Sequence, residues 1–347
     1  MKKVLLLLLA ILPSLPFAVG ALEVKEGRVK LVLHESTGRF SLYYLTDMKK
    51  ERYEALFVDQ DPRTSFIALL VNDRSLRLGD TSAFRFRTEK TDTGARLLFE
   101  SKDFAVTQNF TFIRTASAAL ADGVRMDIEV ENRGERAAEV ALRVLIDTKL
   151  GEKDRAHFTT DRRELASETV LNPAADGDRW WFSKNDAAGL MGSLAAPADA
   201  LPNSVHFANW KRLNDASWKV TPSPGRNFNL LPYSIDDSAV CYYFDPLPLS
   251  RGASRRASVL LAAADDAGFS AAPTAVDEGL SRLLSASVQE AESPELALRT
   301  DLVTVRDLLA RIDAAVSAGG SVSDEELAAL EAVMERLNER HGSNEGK

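Results

Sequence analysis

Hydrophobic and polar residues alternate most regularly between positions 124 and 146. A period of two places successive side chains on opposite faces of a β-strand, so this stretch predicts two strands. The segment Asn132–Arg136 between them contains Gly134, which can adopt a positive φ in a turn, and this indicates a β-hairpin. Leu145 makes both faces of the second strand hydrophobic near its end, as is typical of a strand between two layers. The inward residues are Val124, Met126, Ile128, Val130, Val140, Leu142, Val144 and Ile146.

Short strands separated by turn residues recur from about Glu23 to Ala264. The continuous hydrophobic run Ser65–Val71 predicts a strand buried on both faces. No helical pattern of useful length precedes about Ala275, and residues 202–218 are predicted to form a loop region. The predicted fold class is therefore mainly β, a large antiparallel β-sandwich. Further strands are predicted at 28–33, 39–45, 83–87, 95–100, 104–113, 190–194, 238–244 and 257–264.

The composition changes after Ala264, where alanine, leucine, glutamate and arginine replace β-branched and aromatic residues. One helix is predicted from Ser293, a capping residue followed by Pro294, to the pair Gly319-Gly320. A second follows a capping box that begins at Ser323. Together they predict a C-terminal helical hairpin with a coiled-coil-like seam. Two short helices bury little surface alone, so the hairpin needs the β domain, a second copy or another envelope protein as a packing partner. The seam of the first helix has steps of four and three: Leu298, Leu302, Val305, Leu309, Ile312 and Val316.

The N-terminus has the pattern of a secretory signal. Two lysines precede the hydrophobic run Val4–Leu12, which is too short to span a bilayer comfortably, and Val19-Gly20-Ala21 supplies the small residues of a cleavage site. An uncleaved membrane anchor is the alternative, which Pro13 and Pro16 disfavour. We therefore expect export to the periplasm or the extracellular space and a soluble mature protein. The predicted segments are a signal peptide 1–21, a β-sandwich domain 22–268, a linker 269–292 with room for a short helix, a helical hairpin 293–341 and a disordered tail 342–347.

Charge and cysteine content exclude several classes of function. The 347-residue chain carries a net charge of −8, which disfavours nucleic-acid binding because phosphate recognition needs clustered lysine and arginine. Cys241 is the only cysteine, so the chain has no intramolecular disulfide. It lies in a strand-like run, where a small buried thiol is expected rather than a reactive one. The sequence contains no Gly-rich phosphate loop, nucleophile elbow or zinc-binding spacing.

The densest group of potential acids, bases and metal ligands begins where a hydrophobic strand ends. Asp147, Glu152 and Asp154, with His157 close behind, are candidate ligand-binding residues, and the three carboxylates could ligate Ca²⁺. The group lacks regular calcium-loop spacing and two lysines lie among the acids, so a purely structural loop is the alternative. Because Asp147 ends the strand, its side chain is expected to be held in place by backbone N–H groups.

Aromatic residues and an isolated histidine complete the candidate ligand-binding set. Trp180 and Trp210 could each offer a flat face on which a sugar stacks. Trp180 and Trp181 follow one another on a predicted strand, so at most one of them faces a given cleft. Core packing is the alternative interpretation for these rings. His206 is a further candidate, with a hydrogen-bonded loop histidine as its alternative. No residue is predicted to be catalytic.

Three features follow one another along the chain: the strand end and acidic loop Ile146–Asp154, a tryptophan-rich middle, and Asp237–Val240 before the final strands. This order resembles exported bacterial β-sandwich proteins of the galactose-mutarotase-like supersandwich fold. The resemblance covers roughly Glu23–Ala264 and implies two large antiparallel sheets with a sugar-sized concave face. Mutarotases use a histidine and a glutamate as acid and base. The segment His206–Trp210 departs from their Asn-His-x-x-Phe-Asn signature, so the resemblance alone implies no epimerase activity.

Three hypotheses about function remain open, and the sequence favours a non-enzymatic one. The first is an exported sandwich that binds a glycan or a protein partner, with the helical hairpin as a docking or assembly element. The second is a carbohydrate-active enzyme of the mutarotase-like type, using His157 or His206 with Glu152 or Asp154. The third is a structural subunit of an envelope assembly, recruited through the helical seam. Self-association through 293–341 is compatible with each of them.

Overall fold

A computed structural model gives the architecture of the chain. It describes residues 20–269, except 196, 198, 199 and 224, and the segments 278–288, 294–318 and 323–342. Apart from its last two positions, the predicted signal peptide lies outside the described residues. The same holds for the predicted cap Ser293, the helix stop Gly319-Gly320 and residues 343–347 of the predicted tail.

The strands of the described part of the chain are short and numerous. Their bounds are β1 (Ala21–Glu26), β2 (Val29–His34), β3 (Arg39–Asp47), β4 (Arg52–Ala55), β5 (Phe66–Val71), β6 (Arg74–Arg77), β7 (Arg85–Thr91), β8 (Gly94–Glu100), β9 (Phe104–Ile113), β10 (Gly123–Asn132), β11 (Ala138–Asp147), β12 (Phe158–Thr160), β13 (Glu164–Leu165), β14 (Thr169–Leu171), β15 (Trp180–Lys184), β16 (Gly189–Ser193), β17 (Ser204–Asn209), β18 (Ser238–Leu249) and β19 (Ser254–Ala263). The helices are α1 (Pro173–Asp176), α2 (Trp210–Asp215), α3 (Glu278–Val288), α4 (Pro294–Ala318) and α5 (Asp324–Gly342), with a 3₁₀ turn at Pro62–Thr64.

The strands form three antiparallel sheets. Strands β1 to β4 make a four-stranded sheet in chain order. A nine-stranded sheet has the order β13-β12-β15-β16-β19-β10-β9-β8-β7, and a six-stranded sheet has the order β14-β17-β18-β11-β5-β6. Hydrophobic side chains from all three sheets meet in one core. The predicted fold class, a mainly β chain with a large antiparallel β-sandwich, is therefore confirmed.

The predicted hairpin at 124–146 is wrong. Strand β10 pairs with β9 and β19 in the nine-stranded sheet, whereas β11 pairs with β5 and β18 in the six-stranded sheet. The two strands face each other across the core, because the inward side chains of both belong to the same hydrophobic cluster. Strand β11 is hydrophobic on both faces and takes a neighbour on each edge, so it lies inside a different sheet. The layer predicted to cover Leu145 is present, since Leu145 packs with Ala208 and Leu213.

A buried hydrogen bond joins the two large sheets. Trp181 Nε1 in β15 donates to the hydroxyl of Tyr242 in β18 at 2.7 Å, and both rings are buried. Gly192 in β16 lies opposite Trp181 in the strand register. A Cβ at Gly192 would lie 2.4 Å from the Trp181 ring and from the Tyr242 hydroxyl. The absence of a side chain at this position therefore makes room for the bonded pair.

The region 202–218 is not the predicted loop, because it contains β17 and α2. Every residue of β17 is buried, including three polar ones. His206 pairs with the Ser204 hydroxyl, and the Asn209 side chain caps α2 by accepting from the amide of Arg212. These hydrogen-bonded polar residues interrupt the hydrophobic run along the sequence without preventing burial, which is why the strand pattern was hidden.

The C-terminal helices dock on their own sandwich. Helices α4 and α5 correspond to the predicted pair, and α3, within the predicted linker, packs against both. Residues of α3 and α5 such as Leu284 and Val333 form a cluster with Leu45, Met48 and Leu120 of the sandwich. At the near end of α5, Glu325 accepts from the amide of Ala119 at 2.6 Å. Of the three packing partners that the sequence left open for these helices, the structure shows the β domain of the same chain.

Most of the predicted seam of α4 does not pack inward. Four of its six residues, Leu298, Leu302, Val305 and Leu309, are exposed, while Asp301, Thr304 and Leu308 are buried instead. Ile312 is the seam residue that packs against the cluster joining the helices to the sandwich. Two ion pairs between α4 and α5, Arg340 with Asp301 and Arg311 with Glu326, hold that inward face. In the described part of the chain, no helix combines the length and hydrophobicity needed to cross a membrane.

Candidate functional site

Three carboxyl groups come together where β11 ends and β18 begins. The two strands are antiparallel neighbours, with Asp147 opposite Ala239, so the end of one coincides with the start of the other. Asp147 is the last residue of β11, and Asp237 directly precedes β18. Glu152 folds back from the following loop and accepts from the amide of Ser238 at 3.0 Å. We refer to Asp147, Glu152 and Asp237 as the carboxyl cluster.

Asp147 is the most deeply buried member of the carboxyl cluster, with 5% of its surface exposed. Its amide donates to the Ser65 hydroxyl, and its carbonyl accepts from the amide of Val58. Its carboxyl group is held by the side chain of Thr64, not by backbone N–H groups as expected. Burial raises the pKa of Asp147 to about 8, the Thr64 hydrogen bond opposes that shift, and the charges of Asp237 and Glu152 add to it.

The other two carboxyl groups are perturbed in the same direction. Burial raises the pKa of Glu152 to about 7, the Ser238 amide opposes the shift, and the charges of Asp237 and Asp236 reinforce it. Burial also raises the pKa of Asp237, which a hydrogen bond from the Ser234 hydroxyl counteracts. Both groups remain partly open to solvent. Clusters of carboxyls with pKa values near neutrality are typical of binding and catalytic sites.

Asn209 holds the loop that carries Asp237. Its side-chain amide donates to the carbonyl oxygens of Phe228 and Asp237 and to the Ser234 hydroxyl. These three bonds fix both ends of the segment 228–237 against the start of α2. The tip of the segment is strongly exposed and hydrophobic: Leu231, Tyr233 and Ile235 are 70%, 73% and 65% exposed. Exposed hydrophobic tips next to polar groups commonly mark interaction sites.

Trp210 lies beside the carboxyl cluster. It is the first residue of α2, and its amide donates to the Asp237 carbonyl at 3.1 Å. Its indole Nε1 donates to the carbonyl of Thr64 at 3.0 Å, so the ring is fixed next to the residue that holds Asp147. The side chain is half-buried, which leaves part of the ring surface available to a ligand. Of the candidate aromatic residues, Trp210 is the one that the structure brings to this site.

His157 lies at the edge of the same region. Its ring stacks on Phe228 with centroids 4.6 Å apart, and it is buried. Burial lowers the pKa of His157, while the charges of Asp236 and Asp154 oppose that shift. Its Nδ1 has no hydrogen-bond partner within the described part of the chain. The imidazole is therefore neutral at neutral pH.

The remaining candidates lie elsewhere. Asp154 is exposed on the loop after Glu152. Trp180 packs with Phe182 and Met191 in a separate cluster, in line with the core-packing interpretation. His206 is buried beside Tyr243, and burial, with the nearby Lys219, lowers its pKa to about 4.

Metal binding remains a prediction. Among residues 20–269 and the helical segments that are described, no three His, Cys, Asp or Glu side chains form a group that could hold a metal ion. The predicted calcium ligands Asp147 and Glu152 share the carboxyl cluster, whereas Asp154 faces solvent on the adjoining loop.

Sequence reasoning missed Asp237, Thr64 and Asn209. Asp237 is 90 residues from Asp147 along the chain, and only the pairing of β11 with β18 brings them together. A usable signal existed, because Asp237 stands immediately before a predicted strand and Asp147 ends another. Antiparallel pairing of those two strands would place both residues at the same edge of the sheet.

Comparisons with known proteins give structural similarity only. No protein-family model matches the chain, and no curated protein matches its sequence. A galactose mutarotase related enzyme from Lactobacillus acidophilus is similar over 71% of this chain and 98% of its own, with 9% identity and a TM-score of 0.44. A galactose mutarotase-like protein from Lactobacillus casei is similar over 71% of this chain and 100% of its own, with 10% identity and a TM-score of 0.42. A polysaccharide lyase covers 70% of this chain and 33% of its own, with 12% identity and a TM-score of 0.40.

Proposed function

We propose that this protein binds a carbohydrate at the carboxyl cluster, between the half-buried Trp210 and the exposed tip of the 228–237 segment. The observation that carries the proposal is the convergence of Asp147, Glu152 and Asp237 at one edge of the sandwich, next to exposed hydrophobic side chains. A few convergent polar groups beside apolar surface are what a small-molecule site requires. The protein is proposed to act as a binding protein after export, since its first 21 residues have the pattern of a secretory signal.

The chemistry of the site favours a neutral polyol. Carboxyl groups with pKa values near neutrality are partly protonated, so they can both donate to and accept from hydroxyl groups. The charges that raise these pKa values are all negative, which disfavours anionic ligands. Tyr233 and Trp210 add aromatic surface that suits the C–H face of a sugar ring. A neutral sugar satisfies all three conditions.

Glycan binding should depend on Asp237. We expect the wild-type protein to bind neutral sugars on a glycan array, with affinities then measured by isothermal titration calorimetry. Asp237→Asn should weaken binding roughly tenfold or more, because a charge-assisted hydrogen bond to the ligand is lost. Asp154→Asn, which changes an exposed carboxylate nearby, is the matched control and should bind like the wild type. Absence of any bound glycan, or equal affinity of Asp237→Asn and wild type, contradicts the proposal.

A second candidate function is acid–base chemistry on the bound sugar. It is favoured by the pKa values of about 7 for Glu152 and about 8 for Asp147, which lie at and just above neutral pH. Glu152 would act as the base and Asp147 as the acid. This assignment differs from the histidine pairs of the sequence hypothesis, because His206 lies apart from the cluster and the His157 ring is stacked on Phe228 at its edge.

Catalysis should be visible as faster interconversion of sugar anomers, followed by polarimetry. The rate is expected to be highest between pH 7 and 8, since Glu152 gains a proton below this range and Asp147 loses one above it. Glu152→Gln should lower the rate by about 100-fold or more, whereas Asp154→Asn should leave it unchanged. A protein that binds sugar without accelerating the interconversion would retain the binding function and exclude the catalytic one.

A further inference from the structure

Arg143, in the middle of β11, is a buried arginine with 1% of its surface exposed. Its guanidinium donates to three backbone carbonyl oxygens at the end of α2 and just after it: Leu213 and Ala216, both at 3.4 Å, and Trp218 at 2.8 Å. The guanidinium also lies 5.3 Å from the centroid of the Phe66 ring and 5.4 Å from that of Trp218. A buried charge is costly unless hydrogen bonds and aromatic faces replace its water. These contacts therefore tie the end of α2 to β11.

A second arginine holds the same end of α2. Arg77 in β6 donates to the side-chain oxygen of Asn214 at 2.9 Å and to the backbone carbonyl of the same residue. Its guanidinium lies 4.2 Å from the centroid of the Phe66 ring, which Arg143 also contacts. The last carbonyl groups of a helix have no partner within the helix and carry partial negative charge. Two guanidinium groups therefore stabilise this end of α2, and we refer to Arg77 and Arg143 as the arginine clamp.

Helix α2 lies along the outer face of β11. Side chains at alternate positions of a strand share a face, so Arg143, Leu145 and Asp147 point to the same side. Leu145 packs with Leu213 of α2 in one hydrophobic cluster. Arg143 holds the last turn of the helix, whereas Asp147 lies near its first residue, Trp210. A six-residue helix is about 9 Å long and four strand residues cover about 13 Å, so α2 connects the arginine clamp to the carboxyl cluster.

From this geometry we propose that Arg143 and Arg77 are positioning residues, which hold the carboxyl cluster and Trp210 in place for the ligand by fixing α2. This assignment rests on the proposed function, because the ligand is the proposed sugar. At the opposite end of the helix, the Asn209 side chain and the Trp210 amide both donate to the Asp237 carbonyl, at 3.0 and 3.1 Å. Release of the clamped end lets α2 move, so these two bonds weaken and water reaches the carboxyl cluster.

Two measurements on the ligand-free, full-length protein test the clamp. Carbon-13 NMR of the carboxyl carbon follows the pKa of Asp147, which burial raises to about 8. Hydrogen exchange of the Trp210 indole N–H reports the bond that fixes this ring. In Arg143→Met, the pKa of Asp147 should fall to about 7 or lower, because water reaches the carboxyl group. The indole exchange should accelerate roughly tenfold or more.

Two milder variants keep the clamp testable if Arg143→Met does not fold. Arg143→Lys retains the charge but offers one compact donor group in place of the planar fork, so it should give smaller changes in the same direction. Arg77→Met removes the partly exposed member of the clamp and should also change both measurements in that direction.

The matched control is Arg255→Met. Arg255 is also buried, at 9% exposed, and donates to the carbonyl of Val140 in the same strand, away from α2. Its loss should lower stability while the pKa of Asp147 and the exchange of the Trp210 indole stay at their wild-type values. An arginine that only stabilises the fold would behave in the same way. Wild-type values in the clamp variants, or equal changes in Arg255→Met, overturn the proposal.

Sugar affinity, measured well below the melting temperature, distinguishes a failure of the clamp from a failure of the proposed function. Arg143→Met should bind a neutral sugar roughly tenfold or more weakly than the wild type, and Arg255→Met should bind like the wild type. Clamp variants that bind as tightly as the wild type overturn the positioning role and leave the binding function standing. A wild-type protein that binds no sugar overturns the binding function. The pKa and exchange measurements then still decide whether the arginine clamp positions the carboxyl cluster.

Discussion

Replacing Gly192 with alanine should destabilise the sandwich by about 3 kcal/mol. The added Cβ would lie 2.4 Å from the Trp181 ring and from the Tyr242 hydroxyl, and neither can move because both are fully buried. Overpacking of this kind costs about 1–3 kcal/mol. Displacing the rings also breaks the hydrogen bond between the two sheets, which leaves a buried donor and acceptor unsatisfied at a further cost of about 1–3 kcal/mol. Urea unfolding measures the loss, and the melting temperature should fall by roughly 6–12 °C.

Gly134→Ala is the control for this substitution. A Cβ at Gly134 would approach no atom closer than 3.2 Å, and its nearest neighbours are the side chains of Asn132 and Asp103. A change below about 1 kcal/mol is expected there. Tyr242→Phe separates the overpacking cost of Gly192→Ala from the cost of the broken hydrogen bond. It removes only the hydroxyl that accepts the Trp181 hydrogen bond and adds no atom to the core. Equal stability of the Gly192 and Gly134 variants would show that the two rings are not as tightly confined as described.

Long core strands such as β10 and β11 could be predicted from the sequence, but their partners could not. Alternation identifies which residues of 124–130 and 140–146 face the core, and all eight do. It carries no information about which strand lies alongside, because a hairpin and two strands facing each other across a core bury the same residues. Leu145 was the useful signal: a strand hydrophobic on both faces belongs inside a covered sheet, not at the end of a local hairpin.

Buried polar residues explain what sequence reasoning missed in β17 and at the carboxyl cluster. His206 and Asn209 form side-chain hydrogen bonds within the fold, so polar residues occur where a hydrophobic strand would be expected. Asp147 and Glu152 could be recognised because they are close in sequence. Asp237 could not, since its position depends on the pairing of β11 with β18. The exposure of Leu298, Leu302, Val305 and Leu309 on α4 was equally hidden, because a heptad pattern does not specify which helix fills the seam.

The largest pH effect on stability should come from Asp147. Its pKa rises from 3.8 to about 8 on folding, so the folded protein holds a proton that the unfolded chain has released. The stability that this proton supplies is fully present below pH 3.8 and is lost as the pH rises through about 8. Each pH unit in that window corresponds to about 1.36 kcal/mol, so the loss between pH 6 and pH 8 is about 2 kcal/mol.

Asp147→Asn should abolish this dependence, because asparagine does not titrate and keeps a hydrogen-bonding group next to Thr64. Relative to the wild type, the variant should gain about 2 kcal/mol between pH 6 and pH 8, equivalent to roughly 4–8 °C in melting temperature. Urea titrations at both pH values measure the difference, and taking it between two proteins cancels every titration that they share. Asp154→Asn, on the same loop but exposed, should follow the wild type at both pH values. If the difference in unfolding free energy between Asp147→Asn and wild type stays constant from pH 6 to pH 8, Asp147 is ionised in the folded protein. The carboxyl cluster would then lack its protonated member. Both the hydrogen bonds proposed for sugar binding and the proposed role of Asp147 as an acid depend on that proton.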